Sequence, residues 1–215
     1  MAYLSLSLSR SRARPRSLLR DTDGAVMIEF TLVVVLLLGV TFAIVDFARM
    51  AWIHTLAAKG AERAARLAVQ SDPAASGFTA YSAVGALGLA PGTDLTTARL
   101  PAFTLRCTTA GCTCTVGTCA VGTGYDGDAF AAIAAAAQLG GSFPVPADRV
   151  YVEYAHVGQG FAGRPGPDVV PMVSVGMTGL QHDWIILQAF GFDTFTMSDF
   201  RTTLPAEDLA TSGPT

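Results

Sequence analysis

Charge is scarce in this chain: Asp, Glu, Lys and Arg make up 14% of 215 residues, and the formal net charge is -3. Beyond residue 24 the balance is 9 Lys plus Arg against 15 Asp plus Glu, so no basic patch is left for a nucleic acid. Catalytic patterns are missing as well. There is no G-x-S-x-G, no H-E-x-x-H and no P-loop, and the histidines His54, His156 and His182 share no ligand spacing. His182 with Asp183 reads as a surface pair. Gly158-Gln159-Gly160-Phe161-Ala162-Gly163 fits G-x-G-x-x-G, with Asp183 lying 20 residues further on. The following Arg164-Pro165-Gly166-Pro167 cannot open the helix that would hold a pyrophosphate, so this stretch reads as a hairpin loop. Asp126 and Asp128 lack the further acidic ligand of a calcium loop and read as turn and cap residues. The sequence therefore gives no reason to expect an enzyme, a metal or a cofactor, and it holds no tandem repeat.

What is present is one long apolar run. The 21 residues Ala25–Val45 contain a single charge, Glu29. At about 1.5 Å per helical residue they reach about 31 Å, enough to cross the hydrocarbon core of a bilayer. An ionisable side chain at mid-bilayer costs about 2.5–3.5 kcal/mol, so Glu29 must be shallow, paired or functional. It sits one turn from the start of the run, where the helix dipole also favours an anion. Before the run stand Arg10, Arg12, Arg14, Arg16 and Arg20, with no acid among residues 1–20; after it come Asp46, Arg49 and Lys59. This asymmetry predicts a cytoplasmic N-terminus and a chain that lies across the membrane from about residue 46 on. A Sec signal peptide would have a shorter apolar region and an A-x-A-like site, which this run lacks; an uncleaved signal anchor is the simpler alternative.

The segment Gly24-Ala25-Val26-Met27-Ile28-Glu29-Phe30 with its basic leader resembles a class III prepilin leader, which a prepilin peptidase cuts after the glycine. In that pattern Glu29 is the fifth mature residue and Phe30 the aromatic sixth. The wider resemblance is to TadE-like proteins, pseudopilins of tight-adherence (Flp) pilus systems. It rests also on Val45-Asp46-Phe47-Ala48-Arg49, on the small-residue stretch Ala57-Ala58-Lys59-Gly60-Ala61-Glu62-Arg63-Ala64-Ala65-Arg66, and on the tail Thr203-Leu204-Pro205-Ala206-Glu207-Asp208-Leu209. Type II secretion pseudopilins differ in having phenylalanine after the glycine, where this chain has Ala25; TadF-like proteins share the leader type. The resemblance implies processing between Gly24 and Ala25, and as partners the prepilin peptidase, other pilins and pseudopilins, the pilus assembly platform and inner-membrane lipid. Cleavage would remove all five leader arginines and expose the Ala25 amine. In lipid, that ammonium and a Glu29 carboxylate one turn away or on a neighbouring subunit would satisfy each other and set the register of packed helices. Glycine before the cut suits a protease that needs an unhindered, extended backbone.

The expected architecture is α+β and pilin-like: a leader (1–24), a transmembrane helix (25–45), a stalk helix (46–70), a periplasmic domain with an antiparallel sheet (71–209), and a tail (210–215). Phe47, Met50, Ile53, Leu56, Ala57, Gly60, Ala64, Leu67 and Ala68 recur at helical spacing until Ser71-Asp72-Pro73 stops the helix. That face packs either on the chain's own domain or on other subunits. Glu62 and Arg66 form an i,i+4 pair. Further on, the patterns predict a short helix near Phe78–Leu89, strands near Ala102–Cys107 and Thr113–Val121, and a helix Ala129–Leu139 capped by Asp128 and ended by Gly140. The segments Val150–Val157 and Val169–Thr178 alternate as strands, joined in a hairpin by the loop from Gly158 to Asp168. Trp184, Ile185, Ile186, Leu187, Phe190, Phe192, Phe195 and Phe200 read as core, or as a subunit contact. Cys107, Cys112, Cys114 and Cys119 fit two disulfides in an oxidising compartment. Two pairings remain open, Cys107-Cys112 with Cys114-Cys119, or Cys107-Cys114 with Cys112-Cys119. Zinc is the rival, without a C-x2-C knuckle to favour it. Cys112, Cys114 and Cys119 also resemble the Cys-x-Cys and later cysteine of similar proteins.

Overall fold

A run free of proline carries helix α1, described from Thr22 to Gln70. The computed structural model describes residues 22–139, 145–206 and 209. Most of the leader, Gly140, and Glu207 and Asp208 of the tail lie outside these. The chain divides into two units, Met1–Ile44 and Val45–Thr215.

In the first unit, none of the residues 24–44 is buried. Leu36 is 70% exposed and Phe30 64%. The polar side chains in the run satisfy themselves along the helix: the Thr31 hydroxyl donates to the Met27 carbonyl at 2.7 Å, and the Thr41 hydroxyl to that of Leu37 at 2.8 Å. Such back-bonding removes the cost of a bare hydroxyl in an apolar medium.

The second unit is built on a five-stranded sheet, β1 (Phe103–Thr108), β2 (Gly111–Val116), β3 (Val150–His156), β4 (Met172–Met177) and β7 (Phe200–Pro205). Its order is β2-β1-β3-β4-β7, with every neighbouring pair antiparallel. Two short strands, β5 (Gln181–His182) and β6 (Phe195–Thr196), pair separately. Period-two alternation sets the core face. Phe103 and Leu105, Val150, Val152 and Tyr154, and Val173, Val175 and Met177 point inward. The hairpin of β3 and β4 around Gly158–Asp168 is as the alternation predicts, though each strand is shorter, and Gly160 opposes Val169 in an isolated bridge.

Small residues of α1 fill in beneath the sheet. Ala57, Ala61, Ala64, Ala65 and Ala68 are buried, and a Cβ at Gly60 would overlap the carbonyl oxygen of Ala137 on helix α4 (Gly127–Ala137). These turns thus pack on the chain's own domain, whereas Phe47 remains 53% exposed. Glu62 and Arg66 are not among the ion pairs found in the described residues. The helix stops where expected: the Ser71 amide and hydroxyl both donate to the Leu67 carbonyl, and Pro73 follows. Tyr154 is fully buried against Phe78, and its hydroxyl accepts from the Ala74 amide at 2.9 Å.

Several expectations need correction. The helix near Phe78–Leu89 is two short pieces, α2 (Gly77–Ala80) and α3 (Ala83–Leu87), because Tyr81 and Ser82 are extended and the Ser82 hydroxyl caps α3. Asp126, not Asp128, caps α4: its carboxylate accepts from the amides of Asp128 and Ala129, both at 3.0 Å. Strand β2 ends at Val116 rather than Val121, as a turn at Gly117 brings Cys119 back to its partner. Strand β7 was not foreseen. The aromatic segment is only partly core: Trp184 and Phe200 are buried, but Ile185, Phe192 and Phe195 are exposed.

Candidate processing and assembly site

The four residues marked out by the leader pattern, Gly24, Ala25, Glu29 and Phe30, all lie on α1. Both Gly24 and Ala25 have helical backbone, so the bond between them lies in helix, not in extended chain. Nothing comes within 4 Å of a Cβ built on Gly24, so the fold does not demand glycine there. Ala25 and Glu29 are four residues apart on one face, about 6 Å along the axis. Glu29 is exposed between two large apolar neighbours, Ile28 and Phe30, that are exposed too.

The acid just after the apolar run is held differently. Asp46 is buried, and its Oδ2 accepts from the Ile186 and Leu187 amides, both at 3.0 Å. These amides open the 3-10 turn Leu187–Phe190, so a residue of α1 caps a turn far along the chain. The Leu187 amide, helped by that of Ile186 and by Arg49, outweighs burial and keeps the Asp46 carboxyl below its ordinary range. Around it, Phe47 packs edge-on against Trp184 at 5.3 Å between centroids, and the Arg49 guanidinium reaches the Asp183 carbonyl at 3.5 Å. His182 is not the surface residue its polarity suggests. It is buried against Trp184, while Asp183 instead accepts from the Thr194 hydroxyl at 2.9 Å.

A second buried carboxylate escaped the sequence reading. Asp168 accepts from the Ala83 amide at 2.6 Å and from the Gly163 amide at 2.9 Å, tying the β3–β4 loop to the start of α3. The G-x-G-x-x-G stretch is thus a loop folded on its own aspartate. It borders a concavity of about 420 Å³ with Asp94 and Thr96.

The cysteines sit on β1, β2 and the turn after them. Cys107 and Cys112, opposite one another in the β1–β2 ladder, are joined with S–S 1.98 Å, and Cys114 and Cys119 with S–S 2.04 Å. No described cysteine is free. On the outer face of the sheet, Glu153 takes Arg201 at 3.0 Å and Arg106 at 3.7 Å, and the Arg106 guanidinium lies 3.8 Å from the centroid of the Tyr151 ring. The histidines remain apart: His54 lies against Phe200, His156 against Phe103 and His182 against Trp184.

Fold and site together define a class: an apolar helix long enough to cross a bilayer, leading into an α+β domain with an antiparallel sheet. Within that class, residues 24–66 match the family model described as TadE-like protein, the family that the leader and helix resemble. The match begins at Gly24 and covers a fifth of the chain, ending before the sheet. No curated protein and no solved structure matches the chain.

Proposed function

We propose that this protein is a minor pseudopilin of a tight-adherence (Flp) pilus system, anchored through residues 25–45 in the inner membrane with its C-terminal domain in the periplasm. It acts by assembly rather than catalysis. A prepilin peptidase cuts between Gly24 and Ala25, freeing an ammonium group at Ala25. The Glu29 carboxylate then pairs with that group on its own or a neighbouring helix, because neither charge has water to solvate it in lipid. The family match that starts at Gly24 carries this reading. The paired cysteines suit an oxidising periplasm.

The helical backbone at Gly24 and Ala25 favours a second reading, an uncleaved anchor for a periplasmic domain, since the scissile bond would lie within a helix. Intact mass of the membrane-extracted protein separates the two. The proposal expects an N-terminus at Ala25, lost in Gly24→Ala or in a host without the peptidase. Because the fold leaves room for a methyl group at residue 24, that loss would report recognition rather than misfolding. A full-length N-terminus in the normal host would overturn processing.

A further inference from the structure

The segment from β5 to β6 is clasped to the first turns of the second unit and ends in an apolar tip. Asp46, which holds the Ile186 and Leu187 amides at 3.0 Å, directly follows Val45, the last residue of the apolar run. However the span is inclined, the preceding Ile185 is therefore anchored within one residue of its end. The Phe192 amide donates to the Leu187 carbonyl at 3.3 Å, and the Thr194 hydroxyl closes the loop on Asp183. Trp184, packed on Phe47 and His182, fills the inside of the clasp. What it presents outward is Ile185, 65% exposed, and Phe192, 55% exposed.

The geometry points to this tip as an interfacial foot, inserted into the periplasmic leaflet of the bilayer that holds the span. The inference rests on the reading of residues 25–45 as a membrane span. Three features favour lipid as the occupant. Within the second unit, Val45 and Phe47, at the end of the apolar run and beside the clasp, are exposed too, so the tip joins apolar surface that already needs an apolar medium. The tip is held by hydrogen bonds at its base and so needs no ordering on insertion. With the exposed acids Asp183 and Asp193 beside Arg49, the tip carries no excess of positive charge for anionic headgroups, which leaves burial of Ile185 and Phe192 as the source of the contact.

The test uses the full chain with its disulfides intact, in nanodiscs of phosphatidylcholine. Spin labels are placed singly through Ile185→Cys, Phe192→Cys and, as a control in the span, Val35→Cys. Labels at 185 and 192 are expected to collide readily with oxygen and poorly with a water-soluble nickel complex, at a depth of about 5–10 Å. Raising the salt concentration should not change this. If the Val35 label itself reads as aqueous, the span reading fails and the foot fails with it. If Val35 reads as hydrocarbon while both tip labels read as aqueous, the foot alone is overturned. Tip labels shielded from both oxygen and nickel would assign the surface to a second copy of the chain and overturn the lipid contact, as would a tip signal abolished by salt.

Discussion

The two halves of α1 follow opposite rules. Before Asp46 the helix carries large side chains such as Leu32, Leu36 and Phe42, and they are exposed; from Ala57 on, its buried residues are the small ones Ala57, Gly60, Ala61, Ala64, Ala65 and Ala68. A globular protein hides its large apolar residues first. The inversion is compatible with a first half that serves as a single-pass membrane anchor. The second half trades side-chain volume for close approach to α4 and the sheet. Helix axes normally lie about 8–10 Å apart, the distance depending on the side chains between them, and Gly60 against the Ala137 carbonyl marks the tightest point here.

The same substitution in both halves tests this contrast most strongly. Gly60→Ala gains helix propensity yet drives a methyl into the Ala137 carbonyl, so the domain should lose about 1–3 kcal/mol, as overpacked cores do. Gly39→Ala meets nothing within 4 Å and should leave the thermal transition of the domain unchanged. Near-UV circular dichroism melts of the two detergent-solubilised variants make the comparison. Equal melts would erase the distinction between the halves.

A smaller effect separates the halves by pH. His156 and His182 are buried in the second unit, and burial is the main cause that pulls both below the ordinary imidazole value of 6.5. For His156 it outweighs the Leu100 backbone; for His182 Arg49 adds to it, against Asp46 and Asp183. The unfolded chain takes up these protons below about pH 6.5 and the folded one does not. Stability should therefore be full above that pH and decline as the pH falls below it toward the lowered folded-state values. His156→Phe should flatten part of the slope in denaturant melts at several pH values. A slope unchanged in that variant would remove His156 from the account.

Much of this was legible in the sequence where the signal is local. The long apolar helix follows from an apolar run with one charge, the end of α1 from Ser71-Asp72-Pro73, and the β3–β4 hairpin from alternating Val150, Val152 and Tyr154 against Val173, Val175 and Met177. The clasp was not legible, because Asp46 finds its amides 140 residues away, and Asp168 finds the Ala83 amide 85 residues away. Only the oddity of a lone acid directly after an apolar run pointed to such a partner. Strand β7 was hidden for a related reason: Phe200-Arg201-Thr202-Thr203-Leu204-Pro205 gains its register from β4, not from a strong alternation of its own. Asp126 and Asp128 both suit a cap, and only the backbone geometry chooses between them.

The most direct test of the outward-facing half is Glu29→Gln, which keeps the size of the side chain and removes its charge. If the carboxylate serves to pair with the Ala25 ammonium of packed helices, the variant should be inserted and processed like the parent while pilus yield falls sharply. Pilus yield equal to the parent's, from an equal amount of membrane-inserted protein, would contradict the account.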